Sequence, residues 1–191
     1  LKTSVWPAPQ TQRNMQQWLQ QRRQGQGPVV VLCPTTNWAG KAWPLGHWQQ
    51  LTQHILDADG QVIVVAAPNE RPQLQGLFDH FPAGRVCDAS FTSLTEAAAL
   101  CQQATACVAN DSGLAHLAAA TGQPTIVLFG PMDEAVYRPI GPQVTVLTAP
   151  TVSPADNPFP PHLKPRPLGG LLPAAVWAAL QPLLSTAKKV A

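Results

Sequence analysis

Three short polar segments carry the residue types that could do chemistry. The richest is Asn110-Asp111-Ser112-Gly113-Leu114-Ala115-His116, set between the apolar stretch Ala104 to Val108 and the small-residue run Leu117 to Ala120. An apolar strand feeding a polar turn and then a small-residue helix places Asp111, Ser112 and the first helical amides at the carboxyl end of a strand. Open α/β sheets bind ligands at that edge. Free N–H groups and the helix dipole at such a terminus attract anions. Asp111 then has two readings. It accepts hydrogen bonds from sugar hydroxyls while the amides of Ser112, Gly113 and Leu114 face phosphate, or it simply caps the helix. His116 lies about one turn into the helix and is either a packed histidine or a ligand contact.

The second segment runs from Cys33 to Pro44, after the first strand. The hydroxyls of Thr35 and Thr36, with Gly40 and the ammonium of Lys41, suit a diphosphate. The alternative is a structural loop with Lys41 in solvent and Trp43-Pro44 packed. The third segment is Ala67-Pro68-Asn69-Glu70-Arg71, where Glu70 opens a helix after the second strand. An acid there suits ribose hydroxyls, or merely the dipole of its own helix. A further loop, Asp88 to Ser93, reads as a turn followed by a helix cap.

Other chemistries are disfavoured. Neither G-x-x-x-x-G-K-[ST] nor G-x-G-x-x-G occurs. Ser112 is outside a G-x-S-x-G elbow, and Asp111 is its direct neighbour, so a hydrolase triad is not expected. Asp57-Ala58-Asp59 stands before Gly60 at a helix end, where turn chemistry explains it and no metal is expected. Cys33, Cys87, Cys101 and Cys107 lack paired-ligand spacing and read as buried thiols. His47, His54, His80 and His162 are scattered, as surface or packing residues are.

The elements that must position these segments are read from periodicity. Residues 10–25 are glutamine-rich, with Met15, Trp18 and Leu19 at helical spacing, and Gly25 and Gly27 end that helix. Pro28 to Leu32, Val62 to Ala67, Arg85 to Cys87, Ala106 to Ala109, Thr125 to Phe129 and Val144 to Leu147 read as strands. Leu45 to Ala58, Glu70 to Phe81, Ser93 to Ala104 and residues 172–186 read as helices. Ser93 with Glu96 three residues on forms a capping box. Strands alternating with helices predict an α/β fold, a Rossmann-like parallel sheet sandwiched by helices. Residues 149–169 are proline-rich and irregular. We expect residues 1–27 to be a linker and glutamine-rich helix suited to attachment to something else, 28–150 one Rossmann-like domain, and 151–191 a proline-rich loop and closing helix.

Composition narrows the function classes. The chain has 191 residues, 45% hydrophobic and 12% charged, with a net charge of +2 and 21 prolines. That is enough for a full α/β core. A basic stripe is missing, so nucleic acid is not an expected partner. Apolar runs fall short of the roughly 18 residues of a membrane span. The chain opens on Leu1 without a visible secretory signal and is expected to be a piece of a longer protein.

Taken together, the motifs resemble a known family. Thr35-Thr36 with Lys41-Ala42-Trp43-Pro44, then Asp111 to Ala120, then Pro124 and Leu128-Phe129-Gly130-Pro131, are similar to glycosyltransferase family 9, the ADP-heptose:lipopolysaccharide heptosyltransferases. The resemblance covers about residues 28–150 and, more loosely, the helix from Val176 to Leu184. It implies one half of a two-domain GT-B fold, the carboxyl-terminal half that binds the nucleotide sugar. By resemblance, Thr35, Thr36 and Lys41 hold the diphosphate and Glu70 the ribose. Asp111 contacts the heptose, and Gly113 and His116 lie against the phosphates. The resemblance also implies inverting transfer without metal or cofactor. The catalytic base and the lipopolysaccharide-type acceptor site belong to the other half, and the location is cytoplasmic, at the inner face of the membrane. A UDP- or GDP-sugar enzyme, and a non-catalytic nucleotide-sugar-binding module, are the competing readings.

Overall fold

The computed structural model describes residues 4–82 and 84–187. Its centre is a six-stranded parallel sheet: β1 (Val29–Cys33), β2 (Gln61–Val64), β3 (Val86–Asp88), β4 (Ala106–Asn110), β5 (Thr125–Phe129) and β6 (Val144–Thr148). The spatial order is β3-β2-β1-β4-β5-β6. Chain order therefore reverses between β1 and β4, which pair with Val30 opposite Ala106 and Cys33 opposite Ala109. At such a switch point the connections leave to opposite sides and open a crevice beyond the carboxyl ends.

The apolar runs become strands because both faces of the sheet are covered. Alternate residues point to opposite cores. Val30, Leu32, Val62, Val64, Val108, Ile126 and Leu128 face α2 (Leu45–Asp57), α3 (Gln75–Asp79) and α7 (Pro173–Ala187). Val29, Val31, Ile63, Cys107, Val127 and Phe129 face α1 (Pro9–Arg22), α4 (Leu94–Gln103) and α5 (Gly113–Ala120). On α2 the expected stripe holds: Trp48, Leu51 and Ile55 are buried. The short helix α6 (Glu134–Tyr137) bridges β5 and β6.

Some expectations shift. Helix α1 stops at Arg22, before either glycine, because Arg23 is already extended. Gly27 has another role: a Cβ there would run into the Asp59 carbonyl oxygen, so this crossing of α1's exit over the α2–β2 turn needs glycine. Helix α1 packs on α4 and buries Met15 and Leu19 in the same core as the sheet. At the other end α7 packs on α2 and buries Val176, Leu180 and Leu184. Residues 1–3 and 188–191 of the expected end segments lie outside the described residues. The helix expected from Glu70 is broken. Arg71–Leu74 is a 3-10 turn, and only Gln75–Asp79 is α-helical. Pro72 removes a donor from the first turn, and Gly76 weakens the turn after it. The capping box at Ser93 and Glu96 forms in full. All four cysteines are buried free thiols, and burial raises the thiol pKa of Cys33.

Candidate functional site

A cleft of about 890 Å³ opens over the switch point. Thr35, Thr36, Lys41, Glu70, Asp111, Ser112, Gly113, Leu114 and His116 all line it. Three sequence-distant loops thus meet at one place, as ligand binding at this edge requires.

The β1 loop is held by a residue at the end of β4. Asn110 is fully buried. Its side-chain carbonyl accepts from the Trp43 backbone N–H at 3.3 Å, and its amide donates to the Pro34 carbonyl. One side chain therefore pins both ends of residues 34–43. Trp43 adds an anchor, its indole N–H donating to the Leu171 carbonyl at 2.8 Å and its ring meeting Trp48 edge-on at 5.0 Å. This loop delivers Lys41, through a 3-10 turn at Ala39–Lys41, to the mouth of β4. The Lys41 ammonium lies 3.4 Å from the Asp111 carboxylate, their side chains 16% and 8% exposed. Lys41 is thus ion-paired in the cleft rather than free in solvent. The Thr36 hydroxyl donates to the Asp111 carbonyl at 3.2 Å.

Asp111 is not the helix cap. Ser112 occupies the N-cap position, in extended backbone, and no side chain among the described residues caps α5. Asp111 lies one residue before the cap position, and its carboxylate faces Lys41. The Ser112 hydroxyl is buried without a partner among the described residues. The first amides of α5 consequently open on the cleft with their donors unused by a cap. A Cβ on Gly113 would meet no atom of the described residues within 4 Å, so glycine leaves the approach to these amides clear. His116 is exposed at the cleft wall, not packed.

Glu70 sits at the β2 side of the cleft. Its Oε2 accepts from the Ala67 N–H at 3.1 Å, closing its own turn, while Oε1 has no partner among the described residues. Beside it, burial raises the Asp88 pKa, but hydrogen bonds from Ser90 and Arg71 outweigh that and hold the carboxyl below its ordinary value. The Arg71 guanidinium donates to Asp88 at 2.7 Å. The loop after β3, expected to be turn and cap only, also contributes Thr92, Ser93 and Leu94 to the cleft.

Sequence reasoning gave Asn110 no role of its own and missed the far wall formed by Met132, Val136 and Tyr137. A polar residue closing an otherwise apolar strand was the available signal for Asn110. The far wall had none, because α6 is too short to show a period. Among the described residues, no group of three or more His, Cys, Asp or Glu side chains has the geometry to hold a metal ion. No helix of the described residues is long and apolar enough to cross a membrane.

The chain is 30% identical over 128 residues to the lipooligosaccharide heptosyltransferase 2 of Haemophilus influenzae, covering 64% of this chain and 37% of that protein. Among solved structures, the glycosyl transferase family 9 protein from Veillonella parvula superposes with a TM-score of 0.83 at 15% identity, over 96% of this chain and 54% of that one. The E. coli heptosyltransferase WaaC with ADP-2-deoxy-2-fluoro heptose superposes with a TM-score of 0.66 at 26% identity, over 88% and 47%. The α/β sheet is the arrangement of the GT-B heptosyltransferases, and the chain spans about half the length of these solved structures and a smaller part of the curated relative. The model of glycosyltransferase family 9 (heptosyltransferase) matches residues 2–157, and the chain belongs to that family.

Proposed function

We propose that this chain is the donor-binding half of a heptosyltransferase that moves heptose from ADP-heptose to a lipopolysaccharide core acceptor. The observation that carries the proposal is the pairing of Lys41 with Asp111 at the uncapped start of α5. A cation and unused amides suit a diphosphate, and a carboxylate beside them suits sugar hydroxyls. Thr35 and Thr36 flank the diphosphate, and Glu70 Oε1 is placed for ribose hydroxyls. The amides of Ser112, Gly113 and Leu114, with His116, line the phosphate side. E. coli WaaC, solved with an ADP-heptose analogue, supports the same donor here.

The chemistry proposed for the whole enzyme is a single inverting displacement. An acceptor hydroxyl attacks the anomeric carbon as its bond to the diphosphate oxygen breaks. ADP leaves carrying that electron pair, and the hydroxyl proton passes to a base supplied by the rest of the protein. Nothing in this half is assigned as the base. Lys41 and the α5 terminus stabilise the charge growing on ADP, the role a metal ion or cofactor would otherwise fill. The acceptor reaches the open side of the cleft from an amino-terminal domain, at the inner face of the membrane. Residues 28–150 form the donor domain in this reading, with 151–187 completing its wall.

Calorimetric titration with ADP, UDP, GDP and ADP-heptose tests the proposal. Selective binding of ADP, tightened by the heptose, is expected. Preference for UDP or GDP would reassign the donor, and binding of none would refute a donor site in this chain.

A further inference from the structure

We propose that Arg166, on the proline-rich segment, is a positioning residue that sets the cleft wall against which the transferred sugar lies, and that Tyr137 is the sugar-facing side chain of that wall. The inference rests on the donor reading above. Residues 149–168 run as a strap across the carboxyl end of β5. Ala149 donates to the Phe129 carbonyl at 2.8 Å and Lys164 to the Pro131 carbonyl at 2.9 Å. Arg166 is only 8% exposed. Its Nε donates to the Gly130 carbonyl at 3.1 Å and its Nη2 to the Met132 carbonyl at 3.0 Å, and both terminal nitrogens meet the Glu134 carboxylate. Lys164 adds a bond to Asp133 at 3.1 Å. At Gly130 a Cβ would stand 3.1 Å from the Arg166 carbonyl oxygen, so the strap lies directly on this loop.

A planar guanidinium is the group that can bridge two carbonyls and a carboxylate at once; an ammonium cannot reproduce that fork. The loop it grips leads straight into the far wall. Val136 and Tyr137 are apolar or aromatic yet 71% and 48% exposed, and both line the cleft. The strand order gives the direction of the ligand. Glu70 lies at the end of β2, Lys41 and Asp111 lie over β1 and β4, and the Tyr137 wall comes after β5. With ribose at Glu70 and diphosphate at Lys41, the sugar points at Tyr137, whose ring offers an apolar face and a hydroxyl.

The test titrates ADP and ADP-heptose into the parent chain and into Arg166→Met, Arg166→Lys and Tyr137→Ala, with thermal midpoints alongside. The expected result is ADP affinity within about twofold of the parent in every variant, while the extra affinity contributed by heptose falls about tenfold, the equivalent of one lost oriented contact. Arg166→Lys, which keeps the charge, should fail to restore it. Tyr137→Ala removes an exposed side chain, so it keeps the test open if an Arg166 variant misfolds. An unchanged heptose increment, or equal loss for both ligands, would overturn the proposal and leave the donor site standing. A parent chain that binds neither ligand would overturn the donor reading and this inference with it.

Discussion

Asp111→Asn separates the two jobs assigned to the Lys41–Asp111 pair. At 3.4 Å and an effective dielectric near 20, the pair attracts by about 5 kcal/mol before desolvation is counted. Desolvation of two mostly buried charges cancels much of this, leaving about 1–2 kcal/mol as the working estimate. Bare ADP must take Lys41 away from Asp111 and must approach the carboxylate's negative charge. Asparagine keeps the shape and removes both penalties, so ADP should bind about 5- to 30-fold tighter. ADP-heptose gains the same release but loses a charged acceptor for its hydroxyls, worth about 1.5–3 kcal/mol. Its affinity should therefore stay level or fall. The ratio of the two affinities drops by about 10- to 100-fold. Paired calorimetric titrations at fixed ionic strength read this directly, with Lys41→Ala as the control that weakens both ligands. If ADP binds more weakly to Asp111→Asn, or both ligands change in parallel, the division of labour between cation and carboxylate is wrong.

Three further outcomes are expected from the geometry. Asn110→Ala leaves the Trp43 N–H and the Pro34 carbonyl unpaired in the interior, at a cost of about 2–4 kcal/mol, which lowers the melting temperature by roughly 5–15 °C in calorimetry and weakens ADP binding with it. Gly113→Ala should behave oppositely: the new methyl meets no atom of the described residues within 4 Å, so stability holds or rises by up to about 1 kcal/mol, while ADP binding falls about tenfold because the methyl stands before the helical amides. Glu134 is held down to about 2 from an ordinary value of 4.5, chiefly by its hydrogen bonds from Arg166; its contribution to stability is complete above pH 4.5 and is lost as pH falls through that window towards 2, so denaturation curves between about pH 5 and 2.5 should be flatter for Glu134→Gln than for the parent.

Much of this protein was decided locally. Runs such as Val29–Cys33 and Thr125–Phe129 are buried at every position, and only a strand covered on both faces suits them. The spacing of Trp48, Leu51 and Ile55 is helical wherever the segment is placed. Ser93 and Glu96 cap their helix with partners three residues apart. The loops that carry Lys41, Glu70 and Asp111 could be picked out because each comes directly after such a run. The contacts those residues make could not be read the same way. Asn110 bonds groups 67 and 76 residues away, and Arg166 grips a loop more than thirty residues before it. Lys41 meets Asp111 only because β1 lies beside β4 in the sheet. Periodicity and capping act over one or two turns of chain, whereas strand adjacency comes from how the crossovers pack. The capping of α5 shows the consequence. Local sequence left Asp111 as either a cap or a ligand contact, and it is strand adjacency that sets Lys41 against its carboxylate beside a helix terminus that no side chain among the described residues caps.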